Sequence, residues 1–278
     1  IAANNDEHAY ADSLHTSALH PLSLAGQKVI VSEDLGIAPI DDDVRMTFRY
    51  IVHQLKEAGA EIIYDHPHLP SSVIAWATSA MYDTWSFQKD KEQPLAGLEQ
   101  GTLDSMTFGA SITEEEFNAA EDHREAIHAA YKAMFDRNEC STFITPTLGV
   151  EAFRHTLRHP KYVGSTRITY PWLDWATFMY DANLIGMPAC ALPMGLGNEG
   201  LPLSIQVQGP RGSDAAVLDV AEQLEQIIGW DNSPKDAASE PKADADENEF
   251  NEDEGKGIIH QMKRARDRLL QLRGTVTK

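Results

Sequence analysis

Apolar positions recur with two periods along this chain, and the two periods predict most of its elements. Val29, Ile30 and Val31 form an unbroken apolar run within residues 28–32, the pattern of a strand covered on both faces. Val44, Phe48, Ile51, Leu55 and Ala58 then recur at spacings of four, three, four and three, which is one face of a helix. Asp41 is placed to cap that helix, Asp42 and Asp43 suit the positive end of its dipole, and Gly59 marks its stop. Ile62, Ile63 and Tyr64 begin a second strand, so the unit predicts a parallel pair joined by a right-handed crossover.

Further along, residues 73–87 read as an apolar helix through Ile74, Ala77, Ala80, Met81 and Trp85. Thr113 and Glu116 spell a capping box, and Phe117, Ala120, Arg124, Ile127, Tyr131 and Met134 continue one helical face behind it. A short strand over 141–145 ends in Thr145-Pro146-Thr147. Residues 151–172 form a polar, basic stretch too long for an idle connection. From Asn183 to Gln208 two apolar runs flank a turn rich in glycine and asparagine, which predicts a hairpin or sheet corner. In its second run Leu201, Leu203, Ile205 and Val207 alternate with Pro202, Ser204, Gln206 and Gln208, so the apolar four share one strand face. Ser213 is placed to cap a last helix whose stripe is Val217, Ala221, Leu224 and Ile228, ending at Gly229.

With 278 residues and 42% hydrophobic content, the chain can bury a large core. A net charge of −20 argues against nucleic acid as a partner, because phosphates are repelled. Two cysteines, Cys140 and Cys190, build no disulfide framework and suit a reducing compartment, so a cytoplasmic location is expected. No apolar run approaches the roughly 20 residues of a transmembrane helix. Residues 1–23 read as a polar linker with His8, His15 and His20 solvated. Residues 24–230 carry the folded domain. Residues 231–256 hold ten acids and three bases and read as a disordered acidic segment. Residues 257–278 repeat apolar positions at helical spacing among six bases, a short amphipathic basic helix. Such a helix suits a membrane surface or a partner helix, and docking on the acidic body is the simpler account.

Several candidate motifs fail on context. His66-Pro67-His68 lacks a third ligand at fixed spacing, so no metal is expected there. His123 and His128 share a helix without a mutual partner, which favours structural or solvated roles. Gly195-x-Gly197-x-x-Gly200 has the spelling of a dinucleotide loop, yet a period-two strand follows it instead of the required helix.

The stretch around Asn183 carries the most specific signal. Asn183, Gly186, Pro188, Ala189, Pro193, Gly200, Leu201, Pro202, Gln206 and Asp214 resemble, in order and spacing, the C-terminal signature of the amidase signature family. Ser204 departs from the glycine usual there. The resemblance implies an α/β fold, a portion of the amidase signature fold with a mixed sheet flanked by helices. It implies hydrolysis of a carboxylic amide C–N bond by a serine, a second serine in a cis peptide and a lysine, with no metal or organic cofactor. It also makes Trp175, Thr177, Phe178 and Tyr180 candidate substrate-binding residues, with plain core packing as the open alternative. The aromatic stretch before Asn183 leans the resemblance toward fatty-acid amide hydrolase-like or general amidases.

The glycine- and serine-rich loop that carries the family's nucleophile is not in this sequence, whose adjacent Ser71 and Ser72 lie between Pro70 and Val73. The resemblance therefore implies a fragment, the C-terminal half of an amidase, onto which no catalytic residue carries over. The expected partners are a small-molecule amide and the N-terminal half of the same domain, and the chain alone is expected to be inactive. The alternative is a non-catalytic amidase-like binding or scaffold module.

Overall fold

In the computed structural model, residues 23–69, 71–90, 98, 100–154, 157, 159–168 and 174–229 are described. The histidine-bearing opening, Trp172, His155 and Arg158 of the basic stretch, the acidic segment and the C-terminal helix lie outside them.

Strand β1 (Lys28–Val31) is the apolar run that opens the domain, and Val29, Ile30 and Val31 are all fully buried. Helix α1 (Asp42–Glu57) crosses to strand β2 (Glu61–Tyr64), which pairs with β1 in parallel from Lys28↔Glu61 to Val31↔Tyr64. Helices α2 (Val73–Gln88), α3 (Gln100–Gly109) and α4 (Glu114–Asn138) follow. Strand β3 (Phe143–Pro146) then enters on the other side of β1, again in parallel. A small separate hairpin, β4 (Tyr162–Val163) and β5 (Thr166–Arg167), lies within the long basic stretch. The chain continues through a 3-10 turn (Asp174–Met179) into helix α5 (Tyr180–Ile185). The hairpin β6 (Ala189–Leu196) and β7 (Pro202–Gln208) and helix α6 (Asp214–Ile228) complete the described part. The five-stranded sheet has the order β2-β1-β3-β7-β6, with β7 antiparallel to both β3 and β6. It is the mixed sheet flanked by helices that the resemblance implies.

Strand pleating sorts the side chains into two layers. Val29, Val31, Ile144, Leu203, Ile205 and Val207 point to one face, where the stripes of α1 and α6 cover them. Each such aliphatic side chain stabilises the fold by about 1.5–3 kcal/mol on full burial. Ile30 and Phe143 point to the other face and meet Ala120, Ile127, Tyr131 and Met134 of α4 with Ala182, Leu184 and Ile185 of α5.

The α4 capping box forms as spelled: Glu116 N–H donates to Thr113 Oγ1 and Thr113 N–H to the Glu116 carboxylate. The other two expected caps do not form. Asp41 occupies the N-cap position of α1, but its carboxylate accepts from Gly164 N–H and so anchors the β4–β5 turn. Ser213 occupies the N-cap of α6 and donates its hydroxyl to Pro210 O, closing its own turn. The hairpin is also shorter than the sequence suggests. Asn183 to Ile185 complete α5, which stops at left-handed Gly186 (φ +67°), and the strand starts only at Ala189. Helix α3 has no sequence signal of its own, because its apolar residues face α2 without a clean period.

Candidate functional site

The polar face of β7 is the main departure from the alternating pattern. Gln206 and Gln208 point away from the apolar layer, yet both are buried. Gln206 Nε2 lies 3.0 Å from Thr145 Oγ1, 3.3 Å from Pro146 O and 2.9 Å from Phe178 O. One amide therefore ties the ends of two strands to the 3-10 turn. Gln208 Nε2 adds a contact of 3.4 Å to the same Thr145 hydroxyl. Buried amides without partners cost folding energy, so this cross-link over-determines where the turn sits.

The four candidate substrate residues sit on that turn and the first residue of α5, each in a different environment. Phe178 is 2% exposed and packs in the layer with Ile30, Tyr131 and Ile185, so its side chain is core. Thr177 is buried and donates its hydroxyl to Asp174 O, which closes the 3-10 turn. Tyr180 is buried with its ring 4.5 Å from that of Trp76. Burial, and then the Asp174 charge, push its phenol pKa well above the usual range. Trp175 alone of the four is half-buried, edge-on to Phe153 at 5.3 Å. Asn183 is exposed and donates to Met179 O one turn back.

Beneath the turn lies a cluster that periodicity does not reveal. Asp181, on the first turn of α5, accepts from Tyr131 Oη at 2.7 Å, and both groups are buried. The buried Ser72 hydroxyl faces the same carboxylate, and His123 stands near enough to feel its charge. His123 thus interacts with groups outside its own helix. Burial raises the Asp181 pKa, and the Ser72 and Tyr131 hydrogen bonds and His123 pull it back. Burial lowers the His123 pKa against the opposing Ser71 carbonyl and Asp181 charge. Tyr131, enclosed beside this carboxylate, is pushed far above the usual phenol range by burial first.

Serine, histidine and aspartate meet here, but not in the order that nucleophile activation needs. The imidazole addresses the Ser71 carbonyl, and the Ser72 hydroxyl faces Asp181 directly, with no base between them. Ser72 is also buried, out of reach of a substrate carbonyl. The cluster holds α5 against α2 and α4.

At the far end of the hairpin, two carboxylates occupy the turn. Glu151, itself buried, accepts from Leu201 N–H at 2.8 Å and Glu199 N–H at 3.2 Å. Asp43 accepts from Asn198 N–H at 3.1 Å and from Val44 N–H at 2.8 Å. A Cβ on Gly197 would fall 2.5 Å from Glu151 Cδ, which is why glycine stands there. The glycines of the dinucleotide-like spelling therefore serve a hairpin turn whose N–H groups are already taken, those of Gly197 and Gly200 by backbone carbonyls and those of Asn198, Glu199 and Leu201 by carboxylates. Among the described residues, no group of three or more His, Cys, Asp or Glu is placed to share a metal ion. No described helix is long and apolar enough to cross a membrane.

Comparison with known proteins agrees with this architecture. A fatty acid amide hydrolase of Medicago truncatula is 31% identical over 133 residues, covering 48% of this chain and 21% of that protein. An acylamidase of Rhodococcus erythropolis is 22% identical over 220 residues, covering 76% of this chain and 45% of its own length. The crystal structure of a bacterial aryl acylamidase of the amidase signature family superimposes with a TM-score of 0.64 at 20% identity, over 77% of this chain and 46% of that one. The chain spans at most about half the length of the curated relatives it matches. The model of the Amidase family matches residues 2–218, a span that includes the opening read above as a linker. With its mixed sheet, the hairpin behind Asn183 and a family match over most of its length, this chain belongs to the amidase signature family.

Proposed function

We propose that this chain is the C-terminal portion of an amidase that hydrolyses a carboxylic amide C–N bond by Ser–cis-Ser–Lys chemistry, with those residues upstream of it. The observation that carries the reading is the Gln206 cross-link, which fixes the 174–185 segment against the ends of β3 and β7. A wall held that firmly is what a substrate pocket needs, since loosely held groups lose the gain from orientation. In this reading Trp175 forms the acyl-side wall of the pocket. Tyr180, Thr177 and Phe178 hold that wall from behind, consistent with their burial. Cys140 and Cys190 are both free thiols, which supports a cytoplasmic site of action.

Without the serine pair and lysine, the 278-residue chain has no nucleophile and turns over no amide. The test is hydrolysis of an aryl anilide by the purified chain, beside the same chain expressed with its upstream coding sequence. Activity only in the longer protein is expected, with KM raised about tenfold by Trp175→Ala through loss of apolar contact. Turnover by the 278-residue chain that survives Ser71→Ala and Ser72→Ala would defeat the reading. An initiating methionine immediately before Ile1 would instead favour a non-catalytic binding module.

A further inference from the structure

We propose that the groove at the carboxyl ends of β1 and β2 binds a small organic carboxylate, an anionic head on a flat apolar body. The groove encloses about 700 Å³, within the range of small-molecule sites. It lies where the chain leaves two parallel strands, the place at which open α/β sheets present converging loops. Its floor is apolar, made of Val31, Phe48 and Val52. One wall is the face of α1 that carries His53 and Lys56, and the other is the loop after β2 with His66 and His68.

The charge pattern selects the ligand. All three of the groove's lining carboxylates are already engaged. Glu33 receives Arg49 through two hydrogen bonds of 2.7 and 2.8 Å and also pairs with Arg45. Asp65 receives Arg137 Nε at 2.7 Å, Asn138 Nδ2 at 2.6 Å and His66 N–H at 2.8 Å, with His68 Nε2 at 3.3 Å. Asp34 accepts from Gly36 N–H at 2.9 Å and lies 3.5 Å from Arg45. Lys56 is exposed and has no carboxylate partner among the described residues. The groove therefore offers the Lys56 ammonium as its unspent cation with His66 as a further donor, since His68 Nε2 already lies on Asp65 and His53 Nδ1 lies 3.7 Å from Glu57, while the groove's own carboxylates are occupied. In a chain of net charge −20, that local balance favours an anion.

The apolar lining decides what the anion carries. The floor residues Phe48 and Val52 are themselves buried, and the apolar surface left to water is the Tyr64 ring on the rim, 79% exposed, which a flat ring or short alkyl body covers and a bare inorganic ion does not. The histidine wall is preset. His66 Nδ1 accepts from His68 N–H at 3.3 Å, which leaves the ring proton on Nε2. The same ring lies over Gly36, where a Cβ would approach its Cε1 to 2.7 Å. The groove shares no lining residue with the 174–185 segment, so the proposal stands apart from the amidase reading.

The experiment titrates benzoate, benzamide and acetate into the full 278-residue chain and follows the imidazole resonances of His53, His66 and His68 by NMR. Benzoate is expected to shift them saturably. Benzamide, without the charge, and acetate, without the ring, should each bind about tenfold more weakly. Lys56→Gln, a surface change, should weaken benzoate about tenfold and leave benzamide unaffected. His68→Gln, also exposed, should weaken benzoate by a smaller factor with the fold intact by circular dichroism. Equal binding of benzoate and benzamide, no effect of Lys56→Gln, or no saturable shift at these rings would overturn the assignment.

Discussion

The two faces of the central sheet are built on different physics. Toward α1 and α6 the layer is aliphatic and aromatic throughout, from Val29 to Val207. Toward α4 and α5 the same strands bury Thr145, Gln206 and Gln208, beside Asp181 and Tyr131. The first face needs only shape and hydrophobicity, which tolerate substitution of like for like. The second needs partners at fixed distances, since a buried polar group without one is costly. That cost is accepted beside the segment we assign to the substrate wall, and it fixes the segment's position.

Substitutions on each face should therefore fail differently. The largest effect is expected on the apolar face. Phe48→Ala removes a ring that is 2% exposed and should cost about 4 kcal/mol in denaturant unfolding, whereas Ile205→Val should cost only about 1 kcal/mol. On the polar face, Gln206→Leu keeps the volume but takes the side-chain donor from Phe178 O, while Pro146 O keeps the Thr145 hydroxyl, and should cost about 2–3 kcal/mol. A near-neutral result would mean that the cross-link is incidental and the two faces are alike.

Tyr131→Phe comes next, at about 1–2 kcal/mol for the loss of a buried hydrogen bond to Asp181. Its partner gives the comparison a pH signature. The Asp181 pKa is higher folded than unfolded, so the native state holds the proton longer. Stability from this group is then fully present below the unfolded carboxylate range and falls as pH rises toward the folded value. Asp181→Asn should remove that fall, so its unfolding free energy changes less with pH over this window. A wild-type curve that parallels the variant's would remove the titrating group from the polar face. The smallest effect belongs to the rim: Thr113→Ala loses one half of the capping box and should cost about 1 kcal/mol by thermal melting.

The same contrast governs what could be read in advance. Elements on the apolar face were legible because burial there imposes a period. The stripe of α1 and the alternation in β7 name both the element and its inward side. The capping box of α4 was legible because both of its hydrogen bonds close within four residues. Where a polar side chain had a choice of partner, the local rule failed. Asp41 and Ser213 occupy cap positions, yet one bonds to a turn far along the chain and the other to its own loop. Gln206 and Gln208 followed the alternation correctly, but nothing in that pattern says that their face is also buried.

What the sequence determined by itself is strands β1, β2 and β3 with the later hairpin, helices α1, α2, α4 and α6, and the Asn183–Gln208 signature that places the chain in its family. These rest on interactions between near neighbours or on the non-directional demand to hide apolar surface. Only the tertiary structure decided that Asp181 meets Tyr131, that Glu151 fills the hairpin turn, and that His66 and His68 face Lys56 across one groove. Those meetings depend on direction and distance between residues far apart in the chain, and a one-dimensional pattern carries neither.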